Sequence, residues 1–119
     1  MTERSVEHAT FVVERTYDAT PARVFAAWAE PEAKARWFRG PDERVAEFEL
    51  DFRVGGREIN RGAVEGQEYT YEALYQDIVP DERIVYAYDM HMAGERISVS
   101  LGTVELTPEG GGTRLTYTE

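Results

Sequence analysis

From Val45 onward the chain alternates. Val45-Ala-Glu-Phe-Glu-Leu-Asp-Phe52 sets Phe48, Leu50 and Phe52 against Glu47, Glu49 and Asp51, the period of two that a half-buried strand requires. Gly55-Gly56 supplies a permissive turn, and Arg57 to Val64 returns as a short strand. Past Gly66, residues Glu68 to Val79 place Tyr69, Tyr71, Ala73 and Tyr75 on one side, with Leu74 on the other. Pro80-Asp81-Glu82 turns the chain into Arg83 to Met92, where Ile84, Tyr86, Tyr88, Met90 and Met92 share a phase. After Ala93-Gly94-Glu95, residues Arg96 to Thr107 carry Ile97, Val99 and Leu101 in one phase, then Val104 and Leu106 in the other. A bulge or bend is therefore expected at Gly102. Glu109 to Thr113 forms a glycine-rich hairpin loop, and Thr113 to Thr118 is a final strand.

Before this run the period differs. Thr10 to Tyr17 fits a strand with Phe11, Val13 and Tyr17 in phase. Thr20 is a good N-cap, and Pro21 suits the first helical position, where its missing N–H costs nothing. Val24, Phe25 and Trp28 share one face of the helix that follows. Pro31 starts a second short helix, expected to turn Ala33 and Trp37 inward and to stop at Gly40-Pro41-Asp42. One strand, two short helices and six consecutive antiparallel strands make an α+β protein. So long a meander curls and presents one concave apolar face, which two short helices are too few to cover. No repeat or linker divides the chain, so residues 1–119 are read as a single domain.

Composition narrows the chemistry. The chain has no cysteine, which excludes disulfides, thiolate metal sites and cysteine nucleophiles. Its 23 acidic and 13 basic residues give a formal charge of −10, which would repel nucleic acid and anionic membranes alike. Neither a signal-peptide pattern at the N-terminus nor a membrane-spanning apolar stretch is present, so a cytoplasmic location is expected. Lys34 is the only lysine, a scarcity assigned to codon bias.

Several motifs in order resemble one family. They are Tyr17-Asp-Ala-Thr-Pro21 with Val24-Phe25 and Ala27-Trp28, then Pro31-Glu32 with Trp37-Phe38, and Asp51-Phe-Arg-Val-Gly-Gly56. Tyr75-x-Asp-Ile-Val-Pro-x-Glu-Arg-Ile-Val-Tyr86 and the Gly110–Leu115 hairpin continue the series. The chain resembles bacterial members of the SRPBCC (START-like, helix-grip) superfamily, and within it domains similar to the activator of the ninety-kilodalton heat-shock-protein ATPase. The resemblance implies a helix-grip (START/Bet v-like) fold with a cavity between curved sheet and helices. It also implies, in members of the family, a long C-terminal helix closing that cavity. Here the sequence stops at Thr116-Tyr-Thr-Glu119, still in strand pattern. Loss of such a helix would leave about five large apolar contacts unmade at ~1.5–3 kcal/mol each, comparable to the ~5–15 kcal/mol net stability of a domain. The expectation is that the natural polypeptide is longer, or that a second copy covers the open face as a homodimer.

The leading functional expectation is a non-enzymatic binding domain for a hydrophobic or aromatic small molecule, with no cofactor. An enzyme of the same fold (polyketide cyclase/aromatase-like or hydrolase-like) and a co-chaperone-like activator of the heat-shock ATPase are the alternatives. The ligand-binding candidates are Trp28, Trp37, Phe38, Phe48, Phe52, Tyr69, Tyr71, Tyr86, Tyr88 and Met90. Each buried tyrosine hydroxyl needs a partner, so several on one inner face suit a partly polar pocket. Arg57 and Arg61 are read as positive groups for the cavity mouth. No G-x-S-x-G, H-E-x-x-H or phosphate-loop pattern occurs. His91 with Asp89 is the remaining acid–base candidate, but their phase puts both on the solvated side; His8 lies near the terminus. Two scattered ligands such as His91 and Glu95 do not make a metal site.

Overall fold

The computed structural model describes residues 8–38 and 43–119, with the side chains of residues 38 and 43–46 outside that description. The elements are β1 (Val12–Tyr17), α1 (Pro21–Ala29), α2 (Pro31–Phe38), β2 (Glu43–Leu50), β3 (Arg57–Val64), β4 (Gln67–Val79), β5 (Arg83–Met92), β6 (Glu95–Glu109) and β7 (Gly112–Thr118). All strands join one antiparallel sheet in the order β1-β7-β6-β5-β4-β3-β2. The meander from β2 to β7 follows the expected path, and β1 closes onto β7 with Val13 opposite Tyr117 and Tyr17 opposite Thr113. Among the described residues α1 and α2 are the helices, and β7 is the last element.

Local chemistry sets the helical corner. The Thr20 hydroxyl accepts from the Arg23 N–H at 3.4 Å, and Pro21 opens α1 as expected. Glu30, in an extended conformation, donates its N–H to the Ala26 carbonyl at 2.9 Å, and its own carbonyl accepts from Lys34 N–H. The two helices are thus joined through a single elbow residue. Trp37 Nε1 donates to the Ala27 carbonyl at 2.7 Å and folds α2 back on α1. The Gly40-Pro41-Asp42 helix stop lies outside the described residues.

Period two decides which side chains meet the helices. The inner face carries Tyr71, Ala73 and Tyr75 from β4, Ile84 and Tyr86 from β5, Val104 and Leu106 from β6, and Leu115 from β7, packed with Val24 of α1. Phe25, Trp28, Leu50 and Phe52 fill in around them. Burial of a side chain such as Ile84 or Val104 contributes about 1.5–3 kcal/mol.

Two sequence expectations need correction here. Strand β2 ends at Leu50, so Phe52 belongs to the following turn. It still packs inward, edge-on to Phe25 at 5.6 Å and to Tyr75 at 4.9 Å. More telling is Gly102. Pairing with β5 is unbroken there, the β7 ladder begins at the next residue, Thr103, and the register shift against β5 lies at Met90/His91 instead. The strand is apolar in both phases: Gly102, Val104 and Leu106 face inward, while Ile97, Val99 and Leu101 face out, 54%, 68% and 59% exposed. Glycine at 102 answers a packing demand. A Cβ there would sit 2.9 Å from Tyr86 Cζ and 3.0 Å from the Tyr117 hydroxyl, and those two hydroxyls share a 3.0 Å hydrogen bond.

Candidate functional site: a buried ion pair on an aromatic floor

The register brings an unexpected polar row onto the inner face. Glu58 and Asn60 of β3 lie opposite Ala73 and Tyr71 of β4, and Ala73 in turn lies opposite Tyr88 of β5. Both polar residues are buried, Glu58 completely. Above them, α2 does not present the Ala33/Trp37 face that its sequence suggested. Trp37 is 44% exposed, whereas Lys34 is 1% exposed. The chain's only lysine therefore points into the core, which corrects its dismissal as a compositional accident.

Lys34 and Glu58 form a buried ion pair through Nζ and Oε1. The Tyr75 hydroxyl donates to the same Oε1 at 2.8 Å and lies 3.5 Å from Nζ. Aromatic faces complete the enclosure, with Nζ 5.7 Å from the Trp28 ring centroid and 5.9 Å from that of Tyr86. Tyr69 donates to Asn60 Oδ1 at 3.4 Å further along β3. One oxygen is left over: among the described residues, Glu58 Oε2 is buried without a hydrogen-bond partner. Native interiors seldom tolerate this, since an unsatisfied buried acceptor costs about 1–3 kcal/mol and more when charged.

Burial sets the protonation behaviour of this floor. Desolvation pulls the Lys34 ammonium below its ordinary pKa, against the opposing pull of the Glu58 carboxylate and their hydrogen bond. Desolvation also pushes the hydroxyls of Tyr71, Tyr75 and Tyr86 well above their ordinary value, with the Glu58 charge adding to each. These tyrosines are neutral hydrogen-bonding groups at any physiological pH.

Most of the sequence candidates come together on this side. Tyr71 and Tyr88 lie 5.0 Å apart, Tyr86 and Tyr88 6.0 Å, and Met90 follows in the same phase. Tyr69 is buried and Phe48 and Phe52 half-buried. Trp28 stacks edge-on with Trp37 at 4.7 Å and lies parallel to Tyr117 at 6.4 Å. Beside α1, a recess of about 400 Å³ is lined by Tyr17, Ala19, Arg23, Val24, Ala27, Trp28 and Trp37. Phe38 ends α2, and its side chain lies outside the described residues.

The remaining candidates fall elsewhere. Asp89 and His91 pair with Glu72 and Thr70 in the outward phase, as their spacing predicted, and Asp89 meets Arg96 at 3.6 Å. Arg57 and Arg61 also face outward. Arg57 borders a surface groove with Leu74, Ala87 and Val99, and Arg61 pairs with Glu47 at 3.6 Å. Neither arginine sits at the mouth of an inner cavity, because β3 turns Glu58 and Asn60 inward and the odd-numbered positions out. His8 is exposed. Among the described residues no three metal-ligating side chains gather.

Residues 18–119 match the family described as Activator of Hsp90 ATPase homolog 1-like protein. The chain belongs to that family. Among solved structures it is similar to Mll3558 from Rhizobium loti, at 52% identity over 97% of this chain and 79% of that one, with a TM-score of 0.89. A protein from Rhizobium leguminosarum is 49% identical over 98% of this chain and 78% of the other, with a TM-score of 0.94. CV1439 from Chromobacterium violaceum is 27% identical over 93% and 78%, with a TM-score of 0.78. No curated protein matches the chain. Membership in the Activator of Hsp90 ATPase homolog 1-like family accounts for the helix-grip architecture, but the Lys34–Glu58–Tyr75 cluster comes from this chain's own coordinates.

That cluster escaped sequence reading for a specific reason. Charged residues are assigned to water by default, and Arg57-Glu-Ile-Asn-Arg61 offers Ile59 as its one apolar side chain. The deciding fact is the register: Tyr71 pairs with Asn60 and Ala73 with Glu58, so both polar residues share the tyrosine face, whereas a slip of one residue would have turned Ile59 inward.

Proposed function

We propose that this domain binds a hydrophobic or aromatic small molecule on the inner face of its sheet, in the cytoplasm, without catalysing a reaction. The observation that carries this reading is the lining itself: clustered tyrosines whose hydroxyls meet Glu58, Asn60 and one another, next to the apolar recess by Trp28. Aliphatic side chains would fill a purely structural core at lower polar cost. Rings with anchored hydroxyls instead give a surface that is apolar in area and selective at a few points, which is how small-molecule sites are built. The acid–base pair His91 and Asp89 lies on the opposite face, which favours binding over catalysis.

A second reading rests on the outer face. Ile97, Val99 and Leu101 form an exposed apolar stripe of the kind that serves protein contacts, in keeping with a co-chaperone-like role. Native mass spectrometry of protein purified from its own host distinguishes the two. The ligand-binding reading expects a co-purifying small molecule that is released on denaturation. Only the bare chain mass, together with no uptake of any added aromatic probe, would overturn it.

A further inference from the structure

We propose that the ligand of the inner face carries a neutral hydrogen-bond donor on an aromatic ring, such as a phenolic hydroxyl, and that Glu58 Oε2 accepts it. This rests on the reading that the inner face is a ligand site, and it names the chemical class.

Three observations lead there. First, both internal donors converge on one oxygen. Lys34 Nζ and the Tyr75 hydroxyl each bond to Glu58 Oε1, while Oε2 is buried and unpartnered among the described residues. A carboxylate oxygen has room for two donors, so the second oxygen is an open acceptor in a dry setting. Second, the neighbours are rings around one small residue. Glu58 lies across from Ala73, whose methyl sits between Tyr71 and Tyr75 along β4 and opposite Tyr88 on β5. Three ring-sized positions surround one small one, an arrangement against which a flat aromatic edge would pack. Third, the charge is already balanced. Lys34 and Glu58 cancel, so an anionic or cationic ligand group would bring an uncompensated charge into the core. A neutral donor satisfies Oε2 without one.

Selectivity follows from the same asymmetry. A site built to hydrogen-bond a substrate hydroxyl rejects the analogue that lacks it, because the buried acceptor is then left unpaired. Glu58 is fully buried, so a donor reaches it only through a local opening of the inner face, and association is slower than a diffusion-limited encounter.

The test uses 2-naphthol and 2-methoxynaphthalene, which share ring area and differ in the donor, titrated into the whole chain by calorimetry. The expected result is a preference for 2-naphthol of about tenfold or more, from a hydrogen bond to a charged acceptor. In the double variant Lys34→Met with Glu58→Leu, both probes should bind with similar affinity. The wild-type protein provides an independent readout, in which the Glu58 side-chain carboxyl ¹³C resonance moves with 2-naphthol and stays put with 2-methoxynaphthalene. Equal affinities in the wild type, as expected if an internal water satisfies Oε2, would overturn the donor assignment and leave the ligand-binding reading standing. A preference that persists in the double variant would overturn it as well. Binding of neither probe would count against both.

Discussion

Each face of this sheet carries an exception to the usual arrangement. On the inner face, β3 buries a glutamate and an asparagine, and α2 adds the only lysine. On the outer face, β6 holds Ile97, Val99 and Leu101 more than half exposed. Strand β3 carries charge inside, and β6 carries aliphatic surface outside. Hydrophobic burial alone does not select this pattern. The inner exception is a set of specific contacts that leaves one carboxylate oxygen open, whereas the outer one is an exposed apolar stripe. The first reads as chemistry and the second as an open surface.

The largest effect expected from this contrast concerns the ion pair. Lys34→Met or Glu58→Leu alone strands one buried charge and should cost about 3–5 kcal/mol in urea unfolding. The double variant should return to within about 1 kcal/mol of wild type, or exceed it, since apolar replacements of buried pairs are often neutral or stabilising. Additive losses in the double variant would mean that the two residues are not coupled.

The second effect is alkaline sensitivity. Tyr71, Tyr75 and Tyr86 keep their protons in the fold above pH 10.0, where unfolded tyrosine begins to lose its own. The folded state then binds more protons, so stability falls as pH rises past 10, by up to about 1.4 kcal/mol per pH unit for each. Lys34 acts in the opposite sense, one group against three. Its lowered folded pKa makes the unfolded chain the better proton binder, which raises stability with pH until 10.5 is passed. Denaturation midpoints that stay level from pH 9 to 11 would contradict the buried state of the tyrosines.

Smaller effects separate packing from surface. Gly102→Ala pushes a methyl against Tyr86 and the Tyr117 hydroxyl and should destabilise by about 1–3 kcal/mol. Ala93, held at φ +52° in the turn before β6, should gain up to about 1 kcal/mol on replacement by asparagine. Leu101→Thr on the outer face should change stability by no more than about 0.5 kcal/mol, and a larger loss would show that the stripe is covered in solution.

Sequence alone conveyed the element order, the turns and the aromatic phase of β4 and β5, because period two and glycine or proline punctuation are local signals. The Thr20-Pro21 helix start was legible for the same reason. Lys34 and Glu58 were not, being 24 residues apart and meaningful only once α2 is laid across β3. Gly102 was misjudged as a bend because the demand on it comes from Tyr86 and Tyr117, on neighbouring strands. Local physics fixed the frame; contacts across the sheet made the site.

Alanine provides a reporter on each face. Ala73 lies inward beside Glu58, and Ala87 lies outward across from Leu74 and Leu101. With alanine methyls labelled, nuclear Overhauser contacts from bound 2-naphthol should reach the Ala73 methyl and not that of Ala87. Contacts to Ala87 with none to Ala73 would place the ligand on the outer stripe and contradict the central claim.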